Sequence, residues 1–149
     1  MIASLLCVSS SPIMNLHDCF EYFGVKAPNP RWAWSGISDD QMKVAVALWE
    51  DAIRQEGNYW LYDDRDRRRR LSANGARARL EHLKIALANQ STVHVVKVLA
   101  KDTRASTRSI VPGKCYPVTS HTLHVTDLNE QNGTFRAEIV PANFELESR

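Results

Sequence analysis

Residues 31–49 constrain the fold of this 149-residue chain more than any other stretch. A helix cannot run through Lys26-Ala27-Pro28-Asn29-Pro30, because two prolines fix their own backbone and restrict their predecessors, so the chain enters Arg31 extended. Trp32 to Ile37 then reads as a strand, Ser38-Asp39-Asp40 as a turn and Met42 to Trp49 as a second strand, together a hairpin. In the second strand Val44, Val46 and Leu48 oppose Ala45, Ala47 and Trp49. Both faces are apolar, which predicts a central strand or one in a closed barrel. Period-two alternation puts Trp32 and Trp34 on one face. Large rings either fill a core or wall a pocket that stacks a flat ligand, and the two uses imply different functions.

The flanking sequence supplies helices and more strands. Asn15 is placed to cap a helix running to about Phe23, with Leu16, Cys19, Phe20 and Phe23 on one face and Gly24 at its end. Residues 51–70 are polar and charged apart from Tyr59-Trp60-Leu61-Tyr62, an aromatic island expected to form a short strand. Gly75 to about Asn89 is the clearest helix, capped by Ser72 or Asn74 and expected to pack by a stripe of Ala76, Leu80, Leu83 and Leu87. Thr92 to Ala100 reads as a strand, Lys101 to Ser109 as a polar loop and Tyr116 to Thr126 as a long strand. Asn132-Gly133 is a hairpin signal, and the return strand Thr134 to Val140 alternates Phe135, Ala137 and Ile139 against Arg136 and Glu138. The expected class is α+β, a small, strongly bent sheet or barrel of five to six strands flanked by two helices.

With 44% apolar and 24% charged residues, 14–149 fits a single domain that buries a core without disulfide or metal staples. Residues 1–13 are expected to form a loosely ordered leader or a peripheral strand: Ile2 to Val8 is apolar but short, with no preceding basic residue and far too few residues to span a bilayer. Cys7, Cys19 and Cys115 are widely spaced and lack a CxxC pair, which argues against a disulfide framework or structural zinc and for a reducing cytoplasm. No cofactor and no membrane are expected.

Charge is uneven along the chain. Arg65, Arg67, Arg68, Arg69, Arg70, Arg77, Arg79 and Lys84 stand against Asp66 and Glu81, so residues 65–84 carry +6 while the whole chain carries +2. An Arg-dominated run is suited to bidentate phosphate contacts, with Arg104 and Arg108 extending the patch; the plain alternative is a solvated loop leading into a helix. Trp32, Trp34 and Trp49 are candidates to stack a base, with at least one ring expected in the core, and Ser35, Asn29 and Asp51 are candidate readers of the base edge by proximity. No catalytic residue is assigned. His121 and His124, three apart on a strand, point to opposite faces, and His17 and Cys19 are poorly aimed at each other. There is no Walker loop, GxGxxG or GxSxG, and Asp39, Asp40, Glu50 and Asp51 are expected to face solvent.

The order of elements, with Arg31-Trp32-Ala33-Trp34-Ser35, Leu48-Trp49-Glu50-Asp51 and Asn132-Gly133-Thr134-Phe135, resembles the PUA-like superfamily, which includes the EVE, YTH and ASCH modules. It is most similar to the small PUA-like domains that accompany HNH-type nucleases in modification-dependent restriction. The resemblance spans roughly residues 15–142. It implies a bent β-barrel flanked by helices, an aromatic pocket for a flipped or unpaired modified base formed by Trp32, Trp34 and Trp49, and a backbone-binding surface at Arg68 to Arg70. No HNH motif is present, so cleavage would fall to a separate nuclease, and the Lys/Glu arrangement of amide-hydrolysing ASCH members is not matched. The leading expectation is a non-enzymatic module reading a modified base in DNA. A small protein-interaction factor, such as a mobile-element inhibitor of a host defence enzyme, is the alternative. A base- or nucleoside-modifying hydrolase comes third, and requires a carboxylate and a Lys or Cys converging on the tryptophans.

Overall fold

A computed structural model describes residues 14–29, 33–57, 59–63, 73–102, 110–131 and 133–142. The expected leader, residues 1–13, lies outside them. The fold is α+β. Helix α1 spans Leu16–Phe23, and seven strands follow with a second helix, α2 (Ala73–Asn89), between the fourth and fifth. The strands are β1 (Ser35–Ile37), β2 (Lys43–Trp49), β3 (Ile53–Glu56), β4 (Tyr59–Asp63), β5 (Thr92–Ala100), β6 (Ile110–Leu128) and β7 (Phe135–Pro141). They form one sheet in the order β1-β2-β5-β6-β7-β4-β3. The sheet is open, and neither a closed barrel nor the expected five to six strands is found: β1 and β3 end it on opposite sides.

Local chemistry sets the helix ends. The Asn15 side chain accepts from the Asp18 N–H, and the Asp18 carboxylate accepts from the Asn15 N–H, which satisfies two of the N–H groups that every helix start leaves without partners. Gly24, at φ +74°, ends α1 in the left-handed conformation that glycine adopts at no steric cost.

β2 is apolar on both faces because a helix covers each. Phe23 of α1 stacks on His94, with ring centroids 4.5 Å apart and planes 14° from parallel. His94 is in register with Ala45, so α1 lies over that face. On the opposite face, Ser35 is in register with Val46, and Val46 with Val95. Here α2 packs, joined to Ser35 through His82. β2 and β5 run parallel, whereas all other neighbouring strands are antiparallel. The 42-residue gap between them holds the β3–β4 hairpin and α2, the kind of long crossover that a parallel pair needs.

β6 is much longer than the stretch Tyr116 to Thr126 expected from its residues. Its first part pairs with β5 and its last part with β7, from His121 onwards. Pro117, in register with Val96, falls in the part that lies beside β5 but not β7, so this stretch is flanked by a strand on one side only, the kind of position in a sheet that proline tolerates. Register shifts at Val98/Ala100 and His94/Val95 on β5, and at Val125/Asp127 on β6, bend this part of the sheet.

Candidate functional site

The tryptophans divide. Trp34 sits immediately before β1 rather than within it, and its carbonyl accepts from the Ala47 N–H at 2.9 Å. This places Trp34 beside β2 on the α1 face. Its ring packs on Trp49, with centroids 4.9 Å apart and planes inclined by 51°. Trp49 is only 2% exposed and belongs to the core, so it cannot wall an open pocket as expected; it backs the partly exposed Trp34 instead. Trp32 lies outside the described residues.

Of the expected edge-readers, Ser35 is ruled out by strand alternation. It points away from Trp34, is fully enclosed (0% exposed), and shares a 2.7 Å hydrogen bond with His82 Nδ1. Burial holds the His82 imidazole below its ordinary pKa, with Glu81 pulling weakly the other way, so a neutral ring faces the Ser35 hydroxyl. Asn29 stays near: its carbonyl accepts from the Ala33 N–H at 3.0 Å, one residue before Trp34. Asp51 is exposed in the single 3-10 turn Glu50–Ala52 that follows Trp49.

The arginines divide in the same way. Arg77 is exposed on the first part of α2. Arg79, expected on the phosphate-binding surface, is 2% exposed. Its Nη2 donates to the Gly133 carbonyl at 2.9 Å and its guanidinium lies 4.8 Å from the centre of the Phe135 ring. A guanidinium held this way is directed into the protein, where desolvation demands close partners. Arg65, Arg67, Arg68, Arg69, Arg70, Arg104 and Arg108 lie outside the described residues.

Two buried polar arrangements were not singled out by the residue pattern. The α2 face that turns inward carries Gly75, Arg79, His82, Leu83 and Ala86, whereas Leu87 of the expected stripe is 51% exposed. Helical spacing of 75, 79, 82, 83 and 86 was visible, but two polar members hid it. Lys97, buried in a strand rich in valine, reaches Glu50 Oε2 at 3.3 Å and lies 5.1 Å from the centre of the Tyr116 ring. Lys97 is in register with Leu48, which puts it on the sheet face opposite Trp49. This Lys–carboxylate pair therefore does not converge on Trp34.

Cys19 and Cys115 are buried free thiols. Burial first, and then the presence of Cys115, pushes the Cys19 thiol up to about 12; burial pushes Cys115 up to about 11. Both stay protonated and unreactive at neutral pH. Among the described residues no three His, Cys, Asp or Glu are grouped to hold a metal ion, and no helix is long and apolar enough to cross a membrane. Compared with protein-family models, curated proteins and solved structures, the chain has no significant match to any of them.

Proposed function

We propose that this chain is a nucleic-acid-binding module that stacks a modified or flipped DNA base on Trp34 and holds the flanking phosphates with arginines. The observation that carries this reading is the Trp34–Trp49 pair. A partly exposed indole fixed from behind by a buried one offers a rigid planar face, and stacking a base on such a face contributes about 1–3 kcal/mol. Charge supports the same reading. Even without the buried Arg79, residues 65–84 keep a surplus of arginines over carboxylates, and Arg77 is exposed on α2. In this proposal the chain is related to PUA-like modules, works in the cytoplasm and leaves any cleavage to a separate nuclease. In this proposal the edge of the base is read by Asn29, whose carbonyl bonds the N–H of Ala33 beside Trp34, and by Asp51, two residues after Trp49 in the chain.

Titration of tryptophan fluorescence with oligonucleotides that differ in one modified base tests this reading. The expected result is quenching that is stronger for the modified strand, weakens with salt and is lost in Trp34→Ala. Identical, salt-insensitive signals for all strands would overturn it.

A further inference from the structure

The two ends of the sheet are finished differently. On the outer side of β1, Lys26 and Ile37 exchange backbone hydrogen bonds of 3.0 and 3.1 Å, so that edge is covered. At the other end, β3 is paired with β4 alone among the described residues, and Arg54, Gln55 and Glu56 are exposed. Glu56 faces Tyr59 across a two-residue loop, positions 57 and 58, with Gly57 at φ +62°. The pair that closes such a loop exchanges its backbone hydrogen bonds within the hairpin. Along an antiparallel strand the bonding direction alternates, so Arg54 also bonds inward, while the N–H and C=O of Gln55 point to the open edge; the Ile53 N–H is already given to the Glu50 carbonyl.

We propose that two copies of this chain join through β3, antiparallel about a two-fold axis at Gln55, so that one sheet continues across the dimer. This register satisfies both the backbone and the charges. Gln55 meets its symmetry mate and exchanges two backbone hydrogen bonds with it. Arg54 then stands opposite Glu56 of the second copy, and Glu56 opposite its Arg54, at positions where Cα atoms approach to about 4.5 Å and side chains are closest. Within one copy Arg54 Nη2 already lies 3.4 Å from Glu56 Oε2. Pairing turns two such contacts into a ring of four alternating charges. Moving the axis by one residue, to Arg54 or to Glu56, would set like charges against each other. Short charged edges ordinarily discourage strand addition; here the order of the signs makes pairing about Gln55 attractive and pairing about Arg54 or Glu56 repulsive. Four residues bury little area, so the dimer is concentration-dependent.

Sedimentation velocity of the full chain from about 1 μM to about 1 mM tests this, with circular dichroism checking that each variant folds. The expected result is a dimer that grows with concentration. Gln55→Pro deletes an outward N–H and no bond inside the hairpin, and should leave a monomer. Arg54→Glu and Glu56→Arg should each weaken association by about ten-fold, and the double swap R54E/E56R should restore it to within about three-fold. A monomer throughout the range, a dimer that Gln55→Pro leaves intact, or a double swap that does not restore association would each overturn the proposal. None of these outcomes depends on nucleic acid.

Discussion

At Arg79 the cost of taking a guanidinium out of water is offset by the Gly133 carbonyl and the face of Phe135. Lysine cannot reproduce the planar fork, so Arg79→Lys is expected to lower stability by about 2 kcal/mol in urea denaturation without changing oligonucleotide affinity. Arg77→Ala should do the reverse, weakening binding while stability stays within about 0.5 kcal/mol. His82 gives a pH dependence. Burial holds its folded-state pKa below the unfolded value of about 6.5, so the unfolded chain takes up the proton first. Stability is then complete above about pH 6.5 and is lost as pH falls from there toward the lower folded-state pKa, by at most about 1.4 kcal/mol per pH unit for each such histidine. His94 is shifted in the same direction, by burial and then by Lys43. The melting temperature should therefore fall between about pH 7.5 and pH 5.5, and His82→Gln should flatten that fall. A melting temperature that is constant over this window would contradict the assignment. The hydrogen-bonding capacity of Ser35, Arg79 and His82 was evident from residue type, but which partner each would find was not, because Ser35 and Gly133 are remote from α2 in sequence.

The elements with strong local signals are where the residues put them. α1 has its capping box and terminal glycine, β2 its apolar run and β7 its alternation of Phe135, Ala137 and Ile139, all buried, with Arg136 and Glu138. Replacing Asn15 by Ala should cost about 1 kcal/mol by removing the cap. Gly36 carries a different constraint: a Cβ there would lie 2.9 Å from Val25 Cγ2 and 3.0 Å from the Lys26 carbonyl oxygen, against the segment that covers β1. Gly36→Ala is expected to destabilise by about 2 kcal/mol in chemical denaturation and to speed amide exchange at Lys26 and Ile37. β3 and the full length of β6 were illegible for a shared reason. Ile53-Arg54-Gln55-Glu56 has no strong strand pattern, and the first residues of β6 include two prolines and a glycine. Each extends because a neighbour already in the sheet supplies its hydrogen bonds.

At the scale of the molecule, the proposed nucleic-acid surface makes a quantitative claim. Replacing Arg67, Arg68, Arg69 and Arg70 by Ser should lower the slope of log affinity against log salt by roughly 3.6, the loss of four phosphate contacts on duplex DNA. An unchanged slope would remove these residues from the interface. The class of fold, the two helices, the β1–β2 and β6–β7 hairpins and the double-sided burial of β2 were all legible in the order of the residues. Capping groups, turn residues and hydrophobic period act over a few residues and are written where they act. That the sheet stays open, that β5 lies parallel to β2, that Trp49 is core while Trp34 keeps an exposed surface, and that Arg79 and His82 turn inward emerge only when the elements pack together. These outcomes depend on which distant segments share a layer, and on buried partners that repay the desolvation of a polar group. Neither is carried by any local stretch of residues.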